Sequence, residues 1–123
     1  MSISNFAENA ILDALFNNVA LQKSTRFLKL HTADPGEAGL TAAAAETTRK
    51  TIAGAAAAAG VFTSTGDLTW TKVAATETYA YVSVWDDLTA GNCLWVGALA
   101  APKAVVAGDT FTIAAGALTV SLD

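Results

Sequence analysis

The 123-residue sequence is poor in side chains that perform chemistry or form crosslinks. It contains one cysteine, Cys93, one histidine, His31, and two prolines. A single cysteine excludes an internal disulfide framework, and one cysteine with one histidine is too few for a closed zinc site. Cys93 lies in an apolar pattern typical of a strand, so we interpret it as a small buried hydrophobic residue.

Charge is also scarce, because only 15% of the residues are charged and the formal net charge is −4. The seven basic residues are scattered along the chain, whereas binding to a nucleic-acid backbone needs clustered cations. Apolar runs stay short of the roughly 20 residues of a transmembrane helix. The N-terminal segment has no positive charge before its apolar part, unlike a secretory signal. We therefore expect neither a nucleic-acid partner nor a membrane partner.

Hydrophobic residues nevertheless make up 53% of the chain, and many of them are alanine. Two interpretations are open: an alanine-rich domain that tolerates exposure, or a domain whose apolar surface is partly covered by neighbouring subunits. The length predicts a single domain over residues 1–123. Within it we expect a helical segment over 1–22 and a β-sandwich over 23–123.

Residues 5–21 have the apolar spacing of a helix. One face carries Ala7, Ala10, Ile11, Ala14, Leu15 and Val19, and a second face carries Leu12 and Phe16. Asn5 followed by Glu8 three residues later predicts a capping box at the start of this helix. The helix has apolar surface on two sides, which is more than one sheet is expected to cover.

The remaining sequence predicts short antiparallel strands separated by Gly, Asn, Asp and Pro turns. The strands are predicted over residues 26–32, 47–52, 68–73, 78–86, 93–99, 103–106, 110–114 and 117–122, with turns at 34–36, 87–92, 108–109 and 115–116. Residues 33–46 are predicted as a loop with a helical turn at 41–46, and the alanine-rich residues 53–60 as an extended strand or loop. The expected fold class is mainly β: an antiparallel β-sandwich with an N-terminal α-helix.

The polar residues do not have the spacing of a catalytic or cofactor site. We interpret His31 as a partly solvated strand-end or turn histidine that bonds to the backbone, because a general base needs a positioned partner. Asp86 and Asp87 point to opposite faces of a strand, so they and Asp109 are interpreted as turn residues. The segment 54–60 is not followed by the Lys-Ser/Thr pair of a phosphate loop. We predict no catalytic, cofactor-binding or metal-binding residues, and no enzymatic activity.

Five aromatic residues lie in the predicted strands: Trp70, Tyr79, Tyr81, Trp85 and Trp95. Their strand spacing favours positions in a sandwich core and in cross-strand pairs. A sugar-binding platform is the alternative.

Several segments carry a resemblance to a known family: FAENAILDALF near the N-terminus, LHTADPGEAG after the first predicted strand, and the C-terminal block that begins at VSVWDD. They resemble a family of small tailed-bacteriophage virion proteins. The matching motifs are an L-H-T-x-D-P-G turn at 30–36, an aromatic-Asp pair at 85–86, a Gly-Asn hairpin at 91–92, and closing A-G-D-T-F and A-G-x-L motifs at 107–111 and 115–118.

The resemblance implies a non-enzymatic structural protein of the virion, assembled in the host bacterial cytoplasm and without a cofactor. The preferred hypothesis is a capsid decoration or cement protein that binds the major capsid protein on the outer shell of the head as a homo-oligomer. One alternative is a tail-fibre or tail-tip module that binds tail proteins and contacts the host surface. The other is a carbohydrate-binding β-sandwich built around Trp70, Trp85 and Trp95.

Overall fold

A computed structural model describes residues 2–21 and 25–121. Its elements are, in chain order, β1 (Ser2–Ile3), α1 (Asn5–Phe16), β2 (Arg26–His31), β3 (Lys50–Ile52), β4 (Val61–Thr63), β5 (Leu68–Trp70), β6 (Glu77–Trp85), β7 (Cys93–Val105), β8 (Phe111–Ile113) and β9 (Thr119–Ser121). The fold is mainly β, with antiparallel strand pairs and an N-terminal helix, as predicted. Two short strands differ from the prediction: β1 lies within the segment 1–22 that was expected to be helical, and β4 lies where no strand was expected. Within the described ranges there is no helix that is long and apolar enough to cross a membrane.

The strands form one large antiparallel sheet and two small ones. The large sheet has the order β1-β7-β6-β2-β3, and the small sheets are the pairs β4-β9 and β5-β8. The core forms where side chains of the large sheet, such as Leu28 and Leu30, pack with residues of β5 and β8. Phe111 of β8 joins the layers, because its ring centroid lies 5.1 Å from that of Tyr79 in the large sheet and 5.7 Å from that of Trp70 in its own strand pair. The second layer of the expected sandwich is therefore split into separate strand pairs.

The hairpin of β6 and β7 forms the centre of the large sheet, and β7 is longer than predicted. It spans both predicted strands at 93–99 and 103–106, with Pro102 inside it. The register shifts after Tyr79 pairs with Lys103, so residues 99–102 bulge opposite a single residue of β6. Proline has no N–H to donate and is tolerated in such a bulge, which explains why one strand continues past a residue that normally ends strands.

The start of α1 differs from the predicted capping box. The N-cap is Ser4, whose Oγ accepts a hydrogen bond from the Ala7 amide at 3.2 Å. Asn5 is already the first helical residue, so the predicted pairing of Asn5 with Glu8 is wrong. The sequence allowed either choice, because serine and asparagine are both strong N-cap residues.

The helix is also shorter than the predicted range of 5–21. It ends at Phe16 with Asn17 as the C-cap, and Asn18 has a positive φ of 55°. Asparagine tolerates this left-handed conformation better than most residues, and the conformation stops the helix. The predicted boundary between residues 22 and 23 lies outside the described residues, as does the last residue of the strand predicted over 117–122.

The loop after β2 contains no helical turn at 41–46, contrary to the prediction. It runs beside the end of β2 instead, where the Ala44 amide donates to the Leu30 carbonyl at 3.1 Å and Ala43 forms an isolated bridge with His31. These backbone bonds to β2 compete with the local bonds of a helix. The alanine-rich segment 53–60 is extended or irregular, as predicted, and Gly54 bridges to Ser64.

Two glycines with the same backbone conformation provide a test of the β6–β7 turn. Gly91 and Gly116 have φ values of 81° and 82°, which cost an L-residue about 1–2 kcal/mol. A Cβ at Gly91 would also collide with Asp86 Oδ1, whereas a Cβ at Gly116 meets no described atom within 4 Å. Gly91→Ala should therefore lower the free energy of unfolding more than Gly116→Ala in urea denaturation. Equal losses would show that Asp86 moves aside without cost.

Candidate interaction surface

The structure brings His31 next to a serine that lies far from it in the sequence. His31 Nε2 is 2.7 Å from Ser83 Oγ, and Nδ1 is 3.0 Å from the Thr41 carbonyl oxygen. Because a carbonyl only accepts, Nδ1 carries the proton and Nε2 accepts from the Ser83 hydroxyl. The predicted bond from His31 to the backbone is confirmed. The expectation of partial solvation is wrong, because the exposed fraction of His31 is 0%.

His31 and Ser83 resemble a base and a nucleophile, but their surroundings make them a structural pair. Ser83 also has an exposed fraction of 0%, and its Oγ accepts a hydrogen bond from Trp85 Nε1 at 2.7 Å. The Thr41 carbonyl stands where a hydrolase would place a carboxylate to orient the base. No substrate can approach the Ser83 hydroxyl in this arrangement. The pair therefore joins β2 to β6 as a satisfied buried polar network.

Trp85 extends this network to the turn between β6 and β7. The guanidinium carbon of Arg49 lies 4.2 Å from the centroid of the Trp85 ring. Arg49 Nη1 also donates to the carbonyls of Asp87 and Ala90, both at 2.7 Å. Sequence reasoning missed Arg49, because nothing in its neighbourhood along the chain points to a turn about 40 residues away. Arg49 thus holds the turn by hydrogen bonds and packs on the adjacent indole.

The acidic residues have the turn-forming roles that were predicted. Asp86 Oδ1 accepts from the Asn92 amide at 2.7 Å, and Asp87 accepts from another backbone amide of the same turn. Asp109 Oδ2 accepts from the Val106 amide at 2.9 Å. Among residues 2–21 and 25–121, no three His, Cys, Asp or Glu side chains lie close enough to share a metal ion.

The aromatic rings lie mainly in the interior. The exposed fractions of Trp70, Tyr79, Trp85 and Trp95 are 5% or less, and Tyr81 is half-buried. The predicted core role is therefore confirmed for these four residues. A sugar platform needs accessible ring faces, so the alternative of a carbohydrate-binding site built around the three tryptophans is wrong.

Cys93 is buried beside Trp85, as predicted for a small hydrophobic residue. Burial raises the pKa of its thiol to about 11, so the thiol stays protonated at neutral pH. The adjacent loop packs closely on it, because a Cβ at Gly39 would lie 2.8 Å from the Cys93 sulfur. Cys93 is therefore a packing residue and not a reactive thiol.

The apolar surface that remains uncovered lies on and just after α1. Of the ten large apolar side chains that are exposed among the described residues, six fall between residues 6 and 21: Phe6, Leu12, Leu15, Phe16, Val19 and Leu21. Within the helix only Ala7 is buried. The expectation that this helix has more apolar surface than one sheet covers is confirmed. Such a concentration of exposed apolar side chains is typical of interaction sites, so this surface is a candidate for one.

An apolar groove of about 660 Å³ opens between α1 and the strands, and we call it the helix groove. Its walls include Ala7 and Ile11 of the helix and Ile52 and Trp95 of the large sheet. Arg26 is the single charged residue among the described residues that line it. The helix groove and the exposed apolar residues beside it form one continuous candidate interaction surface.

The N-terminal end of α1 is tied to β7 by Ser4. The Ser4 amide donates to the Leu94 carbonyl at 2.9 Å, and the Ser4 hydroxyl donates to the Cys93 carbonyl at 2.6 Å. The same hydroxyl accepts from the Ala7 amide, so one side chain begins the helix and attaches it to the sheet. Hydrogen bonds at one end, with little burial along its length, thus position the helix beside the groove.

A family model described as podophage GP4 fiber I protein gp80 matches residues 2–121. The chain belongs to this family. The match supports the resemblance to small tailed-phage virion proteins, and it identifies a fibre-related phage virion protein. A comparison with curated proteins found no match. The family description does not support the preferred hypothesis of capsid decoration, and the tail-fibre alternative fits it better.

Replacement of Trp85 tests its role in this fibre-family fold. Because the ring is 5% exposed and contacts Arg49 and Ser83, we expect Trp85→Ala to lower the free energy of unfolding by about 3–5 kcal/mol. Leu88→Ala is the matched control, because Leu88 lies in the nearby turn, is exposed, and should change stability by about 0.5 kcal/mol or less. Urea denaturation followed by circular dichroism measures both. A similar small loss in both variants would contradict a structural role for the ring.

The buried histidine predicts a pH dependence of stability. Burial lowers the pKa of His31 from its ordinary value of 6.5. The unfolded chain therefore binds this proton at higher pH than the folded chain does. The stabilisation is fully present above pH 6.5 and is lost as the pH falls from 6.5 through the lower pKa of the folded state.

We therefore expect the free energy of unfolding to decrease between about pH 7.5 and about pH 5.5 in the wild-type protein. His31→Gln keeps a polar group at this site but removes the titration, so its stability should change less over the same interval. Parallel pH profiles for the two proteins would contradict this role of His31.

Proposed function

We propose that this protein is a non-enzymatic structural subunit of a podophage tail fibre. The observation that carries the proposal is the family match over residues 2–121, whose description names a fibre protein. The roles of the polar residues support it, because His31 and Ser83 satisfy each other in the interior and Asp86 holds a turn. In this proposal the protein acts through a surface that binds other virion proteins.

The exposed apolar residues of α1 and the helix groove supply that surface. Apolar burial contributes about 25 cal/mol per Å² before the cost of association is deducted. Permanent interfaces are more apolar than transient ones, and the low charge of this chain suits a permanent contact. A fibre subunit that must stay attached outside the cell meets both requirements. The same features also serve a head-decoration protein, so location in the particle is the deciding measurement.

The location can be measured by labelling intact particles. A short peptide tag inserted after Ala56 lies in the exposed segment 53–60 and leaves the helix groove unchanged. Gold-labelled antibody against the tag should appear on fibres at the tail in electron micrographs. Untagged phage is the control for non-specific label. Label spread over the head shell would overturn the tail-fibre proposal in favour of head decoration.

A phage that lacks the gene provides an independent test of the same proposal. We expect its adsorption to host cells to fall, while the temperature at which its heads release DNA stays unchanged. Supplying the gene in trans should restore adsorption. The opposite pattern, with normal adsorption and heads that release DNA at lower temperature, would favour a cement protein and overturn the fibre assignment.

A further inference from the structure

Each chain carries both the apolar helix groove and a stripe of exposed apolar side chains. The outer stripe of α1 consists of Leu12, Leu15 and Phe16, whose exposed fractions are 53%, 70% and 77%. Leu12, Leu15 and Phe16 do not line the chain's own helix groove, whereas Ala7 and Ile11 of the same helix do. The stripe is therefore exposed beside the groove of its own chain and is available to another one.

The charges of the two surfaces are also complementary. Residues four and seven positions apart share a helix face, so Glu8 lies on the same face as Leu12 and Leu15. A carboxylate that enters an apolar groove is strongly destabilising unless it is paired. Arg26 is the single charged residue among those described in the helix groove, and it can pair with that carboxylate.

We infer that the helix groove binds helix α1 of a second copy of this chain. Leu12, Leu15 and Phe16 of one copy enter the groove of the other, and Glu8 pairs with Arg26 across the contact. Each chain carries both halves of the contact, so two copies that bind reciprocally form a symmetric dimer. This self-association goes beyond the proposed function and does not depend on where the protein lies in the virion.

The oligomeric state of the purified full-length chain tests the contact directly. We expect concentration-dependent association in analytical ultracentrifugation, and Leu15→Glu should weaken the association constant about tenfold or more. Leu88→Glu adds the same charge at another exposed leucine, outside the residues that line the groove, and should leave association unchanged. Circular dichroism confirms that both variants fold. A monomeric wild-type chain at about 0.1 mM, or equal effects of the two variants, would overturn the inference.

A charge exchange tests the pairing of Glu8 with Arg26. Glu8→Arg and Arg26→Glu should each weaken association, whereas the double variant restores the opposite charges and should associate more strongly than either single variant. If the double variant associates as weakly as the sum of the two losses predicts, the two residues do not meet across the interface and the proposed geometry is wrong.

A disulfide crosslink tests whether the helix groove binds α1 of a second copy or α1 of its own chain. Leu15→Cys combined with Ile52→Cys, in a Cys93→Ala background, places one thiol on the outer stripe and one in the groove. Oxidation should give a covalent dimer on a non-reducing gel. An intramolecular disulfide in a monomer would show instead that α1 folds over its own groove, which would overturn the assignment to a second copy.

Discussion

The antiparallel pairing of β6 with β7 is the interaction on which the rest of the structure depends. β6 pairs with β7 on one side and with β2 on the other, so it places Ser83 within hydrogen-bond distance of His31. β7 in turn accepts the hydrogen bonds of Ser4 and therefore carries α1. The buried polar network and the candidate interaction surface are thus attached to the two strands of one hairpin.

The buried polar network favours one strand register in this hairpin. A buried polar group without a partner is costly, and the partners of His31 come from β6 and from the loop that follows β2. Trp85 and Arg49 extend the same requirement to the turn between β6 and β7. Alternative registers of β6 would separate these groups, so the network favours one register in a sheet whose apolar residues alone are less selective.

Local signals predicted the turns and most of the strands, because residues such as Asp86 and Gly91 act on backbone only a few positions away. They missed the short strands β1 and β4, which are held by pairing with strands remote in sequence. The predictions failed where distant residues decide the outcome. The burial of His31 depends on Ser83, 52 residues later. The hydrogen bonds of Arg49 depend on turn carbonyls about 40 residues later. No pattern among neighbouring residues indicates that these distant residues come into contact. The exposed apolar side of the helix was predictable, whereas the groove beside it required the packing of strands that are remote in sequence.

The helix itself links folding to assembly. A 12-residue helix is too short to be stable alone in water, so contacts outside it must stabilise α1. Within the described residues the hydrogen bonds of Ser4 and the full burial of Ala7 both lie at the N-terminal end of the helix. The apolar residues of its second half, including Leu15 and Phe16, contribute little to the isolated chain. Burial of these residues by a neighbouring subunit would stabilise both the helix and the contact between the subunits. The second half of α1 would then be stabilised by assembly and not by folding of the single chain.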